Sequence, residues 1–398
     1  MVPYRFKLTT KDIICFLLFF SIVKIHAVPR VVQQVLKITS VVMIFGFLFC
    51  NYFKRLWNMG TCLGIVLLIP SVIGFTVGKL DLKTSLDGVL NSVILYLLYT
   101  FVMYMHDCKQ TKRMLNNLYV LNLFACFISL ISILCQGRSL YSAGTSYEYF
   151  FGNKFATLYL FMLLIGLAYT RYFNERMGRL ERKQVLLCLI ILEIFLSYWV
   201  RCSTTLIGGT IMFIAIAFSG KKMNWIRKLI STPIFSIMYF IIPGFLAVNI
   251  VPIIQIPSIR QFITGTLGKS EGLTGRVHIY SMLMGIFRYS PIIGNGYNSG
   301  IVNKLTEVGN AQNGLYQLLI EFGILGVGCI TVLIYLSFKE SRGTSGLWGI
   351  KVFVFAMCIC AIVEISYNYL FFLGLFLLKF GICDERANLC LESYAKHY

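Results

Sequence analysis

Four short stretches carry most of the polar residues that an otherwise apolar chain could use for chemistry. "YFFGNKFATLYLF" puts Asn153 and Lys154 at the start of an apolar run, with Asn153 placed as a helix cap. "YWVRCSTTLIGG" sets Arg201 in a tight turn between two apolar runs, with Ser203 or Thr204 available to cap the second. "LTGRVHIYSMLMGIFRYSPIIGNGYNSG" offers a helix that Thr274 caps, Arg276 opens and Pro291 ends. On that helix Arg276, Tyr280, Leu283 and Phe287 share one face, and His278 points to another. Gly294, Gly296 and Gly300 then make the following turn permissive. "AQNGLYQLLIEFGILG" strings Gln312, Asn313, Gln317 and Glu321 along one helix start, and Gly323, Gly326 and Gly328 allow close helix packing beyond them. An arginine beside free helix N–H groups is a physical site for an anion, because a guanidinium fork and the positive end of a helix dipole act together. Each stretch also has a plainer reading. Lys154 and Arg201 fit cations that snorkel to lipid headgroups, and the Arg276 segment fits an amphipathic helix lying on the membrane. The Gln317–Glu321 stripe fits hydrogen bonding between helices. Ionisable groups at membrane depth nonetheless point first to function.

The elements that position these residues are apolar helices. Only 13% of the residues are charged, about half of the ~25% usual in a soluble domain. Apolar runs recur from end to end, which predicts an all-α integral membrane protein of about twelve transmembrane helices in a single domain, 1–398. The runs fall near 12–28, 34–50, 60–77, 88–106, 116–135, 155–171, 184–200, 203–219, 229–250, 313–337, 350–366 and 369–380. With the N-terminus in the cytoplasm, most of the 36 Lys and Arg fall in the inner tethers and the two tails, so both termini are placed inside, with a cytoplasmic tail over 381–398. Lys24, Arg30 and Lys37 run against that trend. Two outer loops result, 136–154 and the large 251–312, and a loop as long as the second is usually functional. The net charge of +20 suits anionic lipid headgroups rather than nucleic acid. Most of the thirteen cysteines lie in apolar runs as small hydrophobes, and Cys383 and Cys390 have no CxxC or histidine partner. Four scattered histidines form no ligand set, so no metal and no cofactor is expected. Glu193 and Glu364, in apolar runs, are candidates to pair with arginines.

This topology carries the starts of the sixth, eighth and tenth helices to the outer side. Asn153, Lys154, Arg201, Gln312 and Asn313 sit at those starts, and Arg276 sits at a fourth. If they converge, they form a site for a multivalent anion near the outer membrane surface.

In this order the motifs resemble those of the O-antigen ligase and polymerase superfamily, including Wzy-type capsule polymerases. The matching residues are the FGNK segment, the Arg201 turn, Arg276, "PIIGNGYNSG" and "AQNGLYQLLIEFGILG", over about 148–330. The last two resemble the family's Pro-x-x-Gly-x-Gly and His-Asn-x-x-Leu-Gln-x-x-x-Glu-x-Gly patterns. Where that second pattern has histidine, this chain has Gln312, which orients a hydroxyl but takes no proton near neutral pH.

The resemblance implies a GT-C-like glycosyltransferase in a bacterial plasma membrane. It would join undecaprenyl-pyrophosphate-linked oligosaccharide units into O-antigen or capsular polysaccharide without a metal, with membrane lipids, a chain-length regulator and a flippase as partners. Arg201 and Arg276 would hold the pyrophosphate leaving group, and Gln312 and Asn313 would position reacting oxygens. Asn153, Lys154, Tyr280, Gly294, Gly296 and Tyr316 are the substrate-contacting candidates. The proton acceptor stays open among His278, Glu271, Glu307 and Glu321, with Glu321 read first as a supporting residue. The competing readings are a ligase, a polysaccharide or lipid-linked-sugar transporter, and a structural or sensory membrane protein.

Overall fold

The computed structural model describes residues 8–23, 25–135, 141–143, 146–174, 179–217, 224–249, 256–257 and 276–381. Thr274, Glu271, Cys383, Cys390 and most of the 251–275 segment lie outside them, as do the side chains of Arg276 and Val277. Fifteen α-helices are described: α1 Thr10–Ile22, α2 Arg30–Tyr52, α3 Met59–Thr76, α4 Leu82–Asp107, α5 Thr111–Cys135, α6 Lys154–Asn174, α7 Arg179–Trp199, α8 Ser203–Ala217, α9 Asn224–Ser231, α10 Pro233–Asn249, α11 Arg276–Arg288, α12 Ile301–Thr306, α13 Gly314–Glu340, α14 Trp348–Cys360 and α15 Tyr369–Phe380. Six of them are long and apolar enough to cross a membrane, or seven where the bent α9–α10 pair counts as one span. The chain is therefore a helical protein with several helices capable of spanning a membrane.

Several helix ends differ from the sequence reading, α1 stopping at Ile22 and α4 starting at Leu82 for example, and two of the differences have a clear local cause. The ninth apolar run is broken into α9 and α10, bent by 77°. Pro233 opens α10, where its missing N–H and fixed φ suit a first helical turn and end the preceding helix. The eleventh run stops at Cys360 rather than near 366. Residues 361–368 then form a short non-helical link, and Asn368 restarts the helix by accepting from the N–H groups of Leu370 and Phe371 at 3.0 and 3.3 Å.

The core lies around α6, α14 and α15. Leu370 to Leu378 of α15 are buried without interruption, and α6 and α14 bury residues on all faces. The periphery is apolar too. Val31, Val35, Phe49, Phe124, Phe127 and Ile191 are exposed, as expected where the outer solvent is hydrocarbon. A three-stranded antiparallel sheet, β1 Tyr141–Ala143, β2 Ser146–Tyr149 and β3 Gly152–Asn153, leads straight into α6. Glu148 pairs with Asn153 and Tyr149 with Gly152, which fixes where α6 starts. The His26 N–H donates to the Phe150 carbonyl at 2.8 Å and stitches this sheet to the α1–α2 link.

At the start of α1, Asp12 is 7% exposed and gathers several donors. Arg113 Nε reaches its Oδ1 at 2.9 Å, Asn117 Nδ2 reaches the same oxygen at 2.7 Å, and a second guanidinium nitrogen bonds Oδ2. This ion pair ties α1 to α5. Asp12→Ala should lower stability by about 2 kcal/mol, below the full cost of breaking a buried pair because Arg113 stays partly exposed. Thermal unfolding of Asp12→Ala, Arg113→Ala and the double variant in detergent checks this. The double variant should lose little more than either single one, whereas additive losses would mean that the two residues act separately.

Candidate functional site

Two of the four polar stretches meet directly. Asn153 caps α6, its Oδ1 accepting from the Ala156 N–H at 2.9 Å. Lys154, the next residue, donates from Nζ to the Arg201 carbonyl at 3.1 Å. Arg201 takes a left-handed conformation, φ 54°, which closes α7: its N–H reaches the Tyr198 carbonyl and the Cys202 N–H reaches Ser197 at 2.8 Å. Lys154 thus sits against the negative end of α7. The Arg201 side chain is exposed. Helix α8 begins at Ser203, where the apolar run begins, and its first helical bond runs from Leu206 N–H to the Cys202 carbonyl, so the cap position is Cys202. Neither Ser203 nor Thr204 is the cap.

The start of α13 is held at the same end of the bundle. Asn313 caps it through the Tyr316 N–H at 3.1 Å. The Asn313 Nδ2 donates to the carbonyls of Gly244 and Ile362, both at 3.2 Å. Gln312 is left-handed, φ 46°, with its N–H on Asn310 Oδ1 at 2.9 Å. The Tyr280 hydroxyl of α11 lies 2.9 Å from the Gln312 carbonyl and 3.0 Å from that of Ile362. The Gly314 N–H reaches Ala361 at 2.7 Å, and Cys360 Sγ reaches the Thr204 carbonyl in α8 at 3.3 Å. The end of α14 is therefore the hub around which α8, α11 and α13 begin, and the Lys154–Arg201 bond adds α6. Arg276 is the first residue of α11, about one helical turn before Tyr280.

This geometry revises several assignments. Asn313 is fully buried, and both of its amide atoms bond backbone, so it acts as a cap and a tie rather than as an open substrate contact. Tyr280, 6% exposed, is a tie between α11 and the α14 end. Tyr316 is fully buried edge-on to Phe245, with ring centroids 5.8 Å apart, and its hydroxyl bonds no described residue. His278 is exposed, and α11 packs its Ile279, Leu283 and Ile286 into the protein core. Glu193 meets no arginine among the described residues; its Oε1 accepts from Ser197 at 2.8 Å and its carboxyl packs on Gly209.

Gly294 and Gly296 hold backbone rather than substrate. Helix α13 is broken at Gly323, φ 64° and ψ −169°. The break frees carbonyls before it and N–H groups after it, and residues 291–296 take up both. Asn295 and Gly296 N–H groups donate to the carbonyls of Ile320 and Glu321 at 2.8 and 3.0 Å. Ile324 and Leu325 N–H groups donate to Pro291 and Ile292 at 2.9 and 3.1 Å. The backbones approach so closely that a Cβ on Gly294 would stand 2.3 Å from the Glu321 carbonyl oxygen. A Cβ on Gly323 would stand 2.2 Å from that of Ile292. Gly323 is thus a break rather than a packing glycine, and Gly328 faces open space. Helical spacing in the sequence carries no signal of this docking, though the two glycine motifs that make it are visible.

Below the Asn313 cap, Gln317 Oε1 accepts from the Ala311 N–H at 2.9 Å, and its Nε2 donates to Glu321 Oε1 at 2.8 Å. The same Glu321 oxygen accepts from the Asn298 N–H at 3.0 Å. Glu321 so joins the glycine strap to α13, in keeping with its reading as a supporting residue. No protein-family model matches this chain, and no curated protein matches it.

Gly323→Ala should cost about 3 kcal/mol, from a backbone conformation essentially reserved for glycine and from the strap bonds it displaces. Gly328→Ala should be close to neutral. Thermal unfolding of the two purified variants makes the comparison, and equal stabilities would remove the strap from its structural role.

Proposed function

We propose that this chain is a membrane polysaccharide polymerase. It would join lipid-pyrophosphate-linked oligosaccharide units on the outer face of a bacterial plasma membrane. The finer architecture belongs to the same reading: twelve spans in a GT-C-like arrangement, with both termini in the cytoplasm. The observation that supports it is the Lys154–Arg201 contact at the end of the bundle where α6, α8 and α13 begin. Cations and helix N-termini from separate segments are thereby gathered at one end, as recognition of a multivalent anion requires.

In the proposed reaction a sugar hydroxyl oxygen of one unit attacks the anomeric carbon of another. A new glycosidic C–O bond forms as the bond to pyrophosphate breaks. The bonding pair leaves on the phosphate oxygen, and the hydroxyl proton passes to solvent or to a nearby base. Negative charge grows on the leaving group, and preorganised cations stabilise it best where water is scarce. Arg201 and Arg276 would supply that stabilisation, with Lys154 and the helix ends assisting. Gln312, half-buried at the head of α13, would orient a hydroxyl without taking its proton.

The test is to incubate the purified full chain with undecaprenyl-pyrophosphate-linked repeat units and resolve the products by size. A ladder of products is expected. A single transfer step would indicate a ligase, and no covalent product would point to transport. Arg201→Lys and Arg276→Lys should each lower ladder formation by about tenfold or more at normal expression, because a point charge does not replace a bidentate fork. Undiminished ladders from both variants would sink the arginine clamp.

A further inference from the structure

A second polar feature lies away from Arg201 and Lys154. Between α4, α13, α15 and the turns at 297–298 and 309–310 is a cavity of about 290 Å³. That is close to the ~300 Å³ lower bound of ordinary ligand pockets, which suits one small compact group rather than an extended chain. Asn91, Tyr297, Asn310, Gln317, Glu321 and Asn368 are among its polar lining residues.

The hydrogen bonds behind this lining fix which atoms remain for a ligand. Asn91, 6% exposed, uses its Oδ1 for Lys37 Nζ and for the Tyr369 hydroxyl. An ammonium only donates, so the accepting atom is the amide oxygen and Nδ2 is left over. Asn368 Oδ1 caps α15, and Asn310 Oδ1 takes the Gln312 N–H, which leaves their Nδ2 groups over as well. Glu321, also 6% exposed, takes both of its described bonds on Oε1. Its Oε2 has no partner among the described residues. Three residues with an unused amide donor and one with an unused carboxyl oxygen thus line a single small space. The Tyr297 and Phe322 rings, stacked at 6.5 Å, form part of its wall.

We propose that this cavity binds one sugar-like polyhydroxylated group, with Glu321 Oε2 accepting a hydrogen bond from one of its hydroxyls. The donor set decides the ligand class. A simple anion would meet the Glu321 carboxyl, and a simple cation would meet three NH₂ groups. A ring of hydroxyls satisfies both kinds of partner, because each hydroxyl donates once and accepts twice, and its apolar face suits an aromatic wall. Lys37, which runs against the charge pattern of its hairpin, acquires a role here: it holds Asn91 with Nδ2 free for the ligand. The assignment stands on the lining and its bonds, not on the reading of the arginine end.

The test uses the full chain in detergent and saturation-transfer NMR with methyl glycosides of a hexose, a deoxyhexose, an N-acetylhexosamine and a hexuronate. Sodium chloride and inorganic phosphate serve as ionic probes. At least one glycoside should bind. Its Kd should rise about tenfold in Glu321→Gln, where a donor replaces the free acceptor while the amide oxygen can keep the strap bonds. Asn310→Ala, in a turn and outside the helix packing, should also weaken binding, and melting curves of both variants confirm that they fold. Arg201→Lys should bind as the parent does, so loss of transfer at the clamp and loss of binding here are told apart. The proposal is overturned if no glycoside binds, if both cavity variants bind unchanged, or if the response that depends on Glu321 is to sodium or phosphate instead.

Discussion

A backbone group in hydrocarbon has no water to turn to, so every break in a helix at membrane depth needs a partner from the protein. The break of α13 at Gly323 meets that constraint with the 291–296 strap, through four backbone hydrogen bonds. Much of this end of the bundle is arranged around that docking. It places the Asn298 N–H on Glu321, Glu321 orients Gln317, and Gln317 holds the Ala311 N–H just before the cap. Gln312 then turns left-handed, Asn313 caps α13 and reaches α10 and the α14 end, and Tyr280 closes the ring from α11.

The helices were legible because their cause is local. Apolar runs separated by charged tethers can hardly become anything but helices in a membrane, and the cap at Asn153 follows from residue type at a helix start. The break at Gly323 was not legible for the opposite reason. Its partner lies about thirty residues away, and a glycine in an apolar helix reads equally as a packing surface. Glycines at 294 and 296 likewise read as turn freedom, when one of them is required by the approach of another backbone. The early stop of α14 escaped too, since residues 361–366 stay apolar enough to continue a helix and are instead held by bonds from α11 and α13.

Legibility was mixed at the site. The expectation that helix starts from distant segments share one end of the bundle agrees with the contacts through Arg201, Thr204 and Ala361. Which side chains there remain free was hidden, because it depends on backbone carbonyls that no motif displays. Asn313 looks available in the sequence, yet the Gly244 and Ile362 carbonyls occupy its amide. Asn91 and Asn368 are isolated amides in apolar surroundings that no motif marks, yet their bonding leaves a donor over on residues that line a common cavity.

The strap also explains why one motif can serve two zones of opposite character. Glu321 stands two helical turns from Asn313, about 12 Å by helical rise. Its described bonds go to Gln317 and Asn298, and none goes to a cation. A carboxyl beside Arg201 would pair with it and cancel the charge that a pyrophosphate needs, while the guanidinium would occupy the oxygen that a hydroxyl needs. Two turns of helix and a docked backbone strap hold Glu321 away from the head of α13, so the proposed cationic mouth and the proposed carboxyl-bearing cavity can draw on one continuous stretch of chain without neutralising each other.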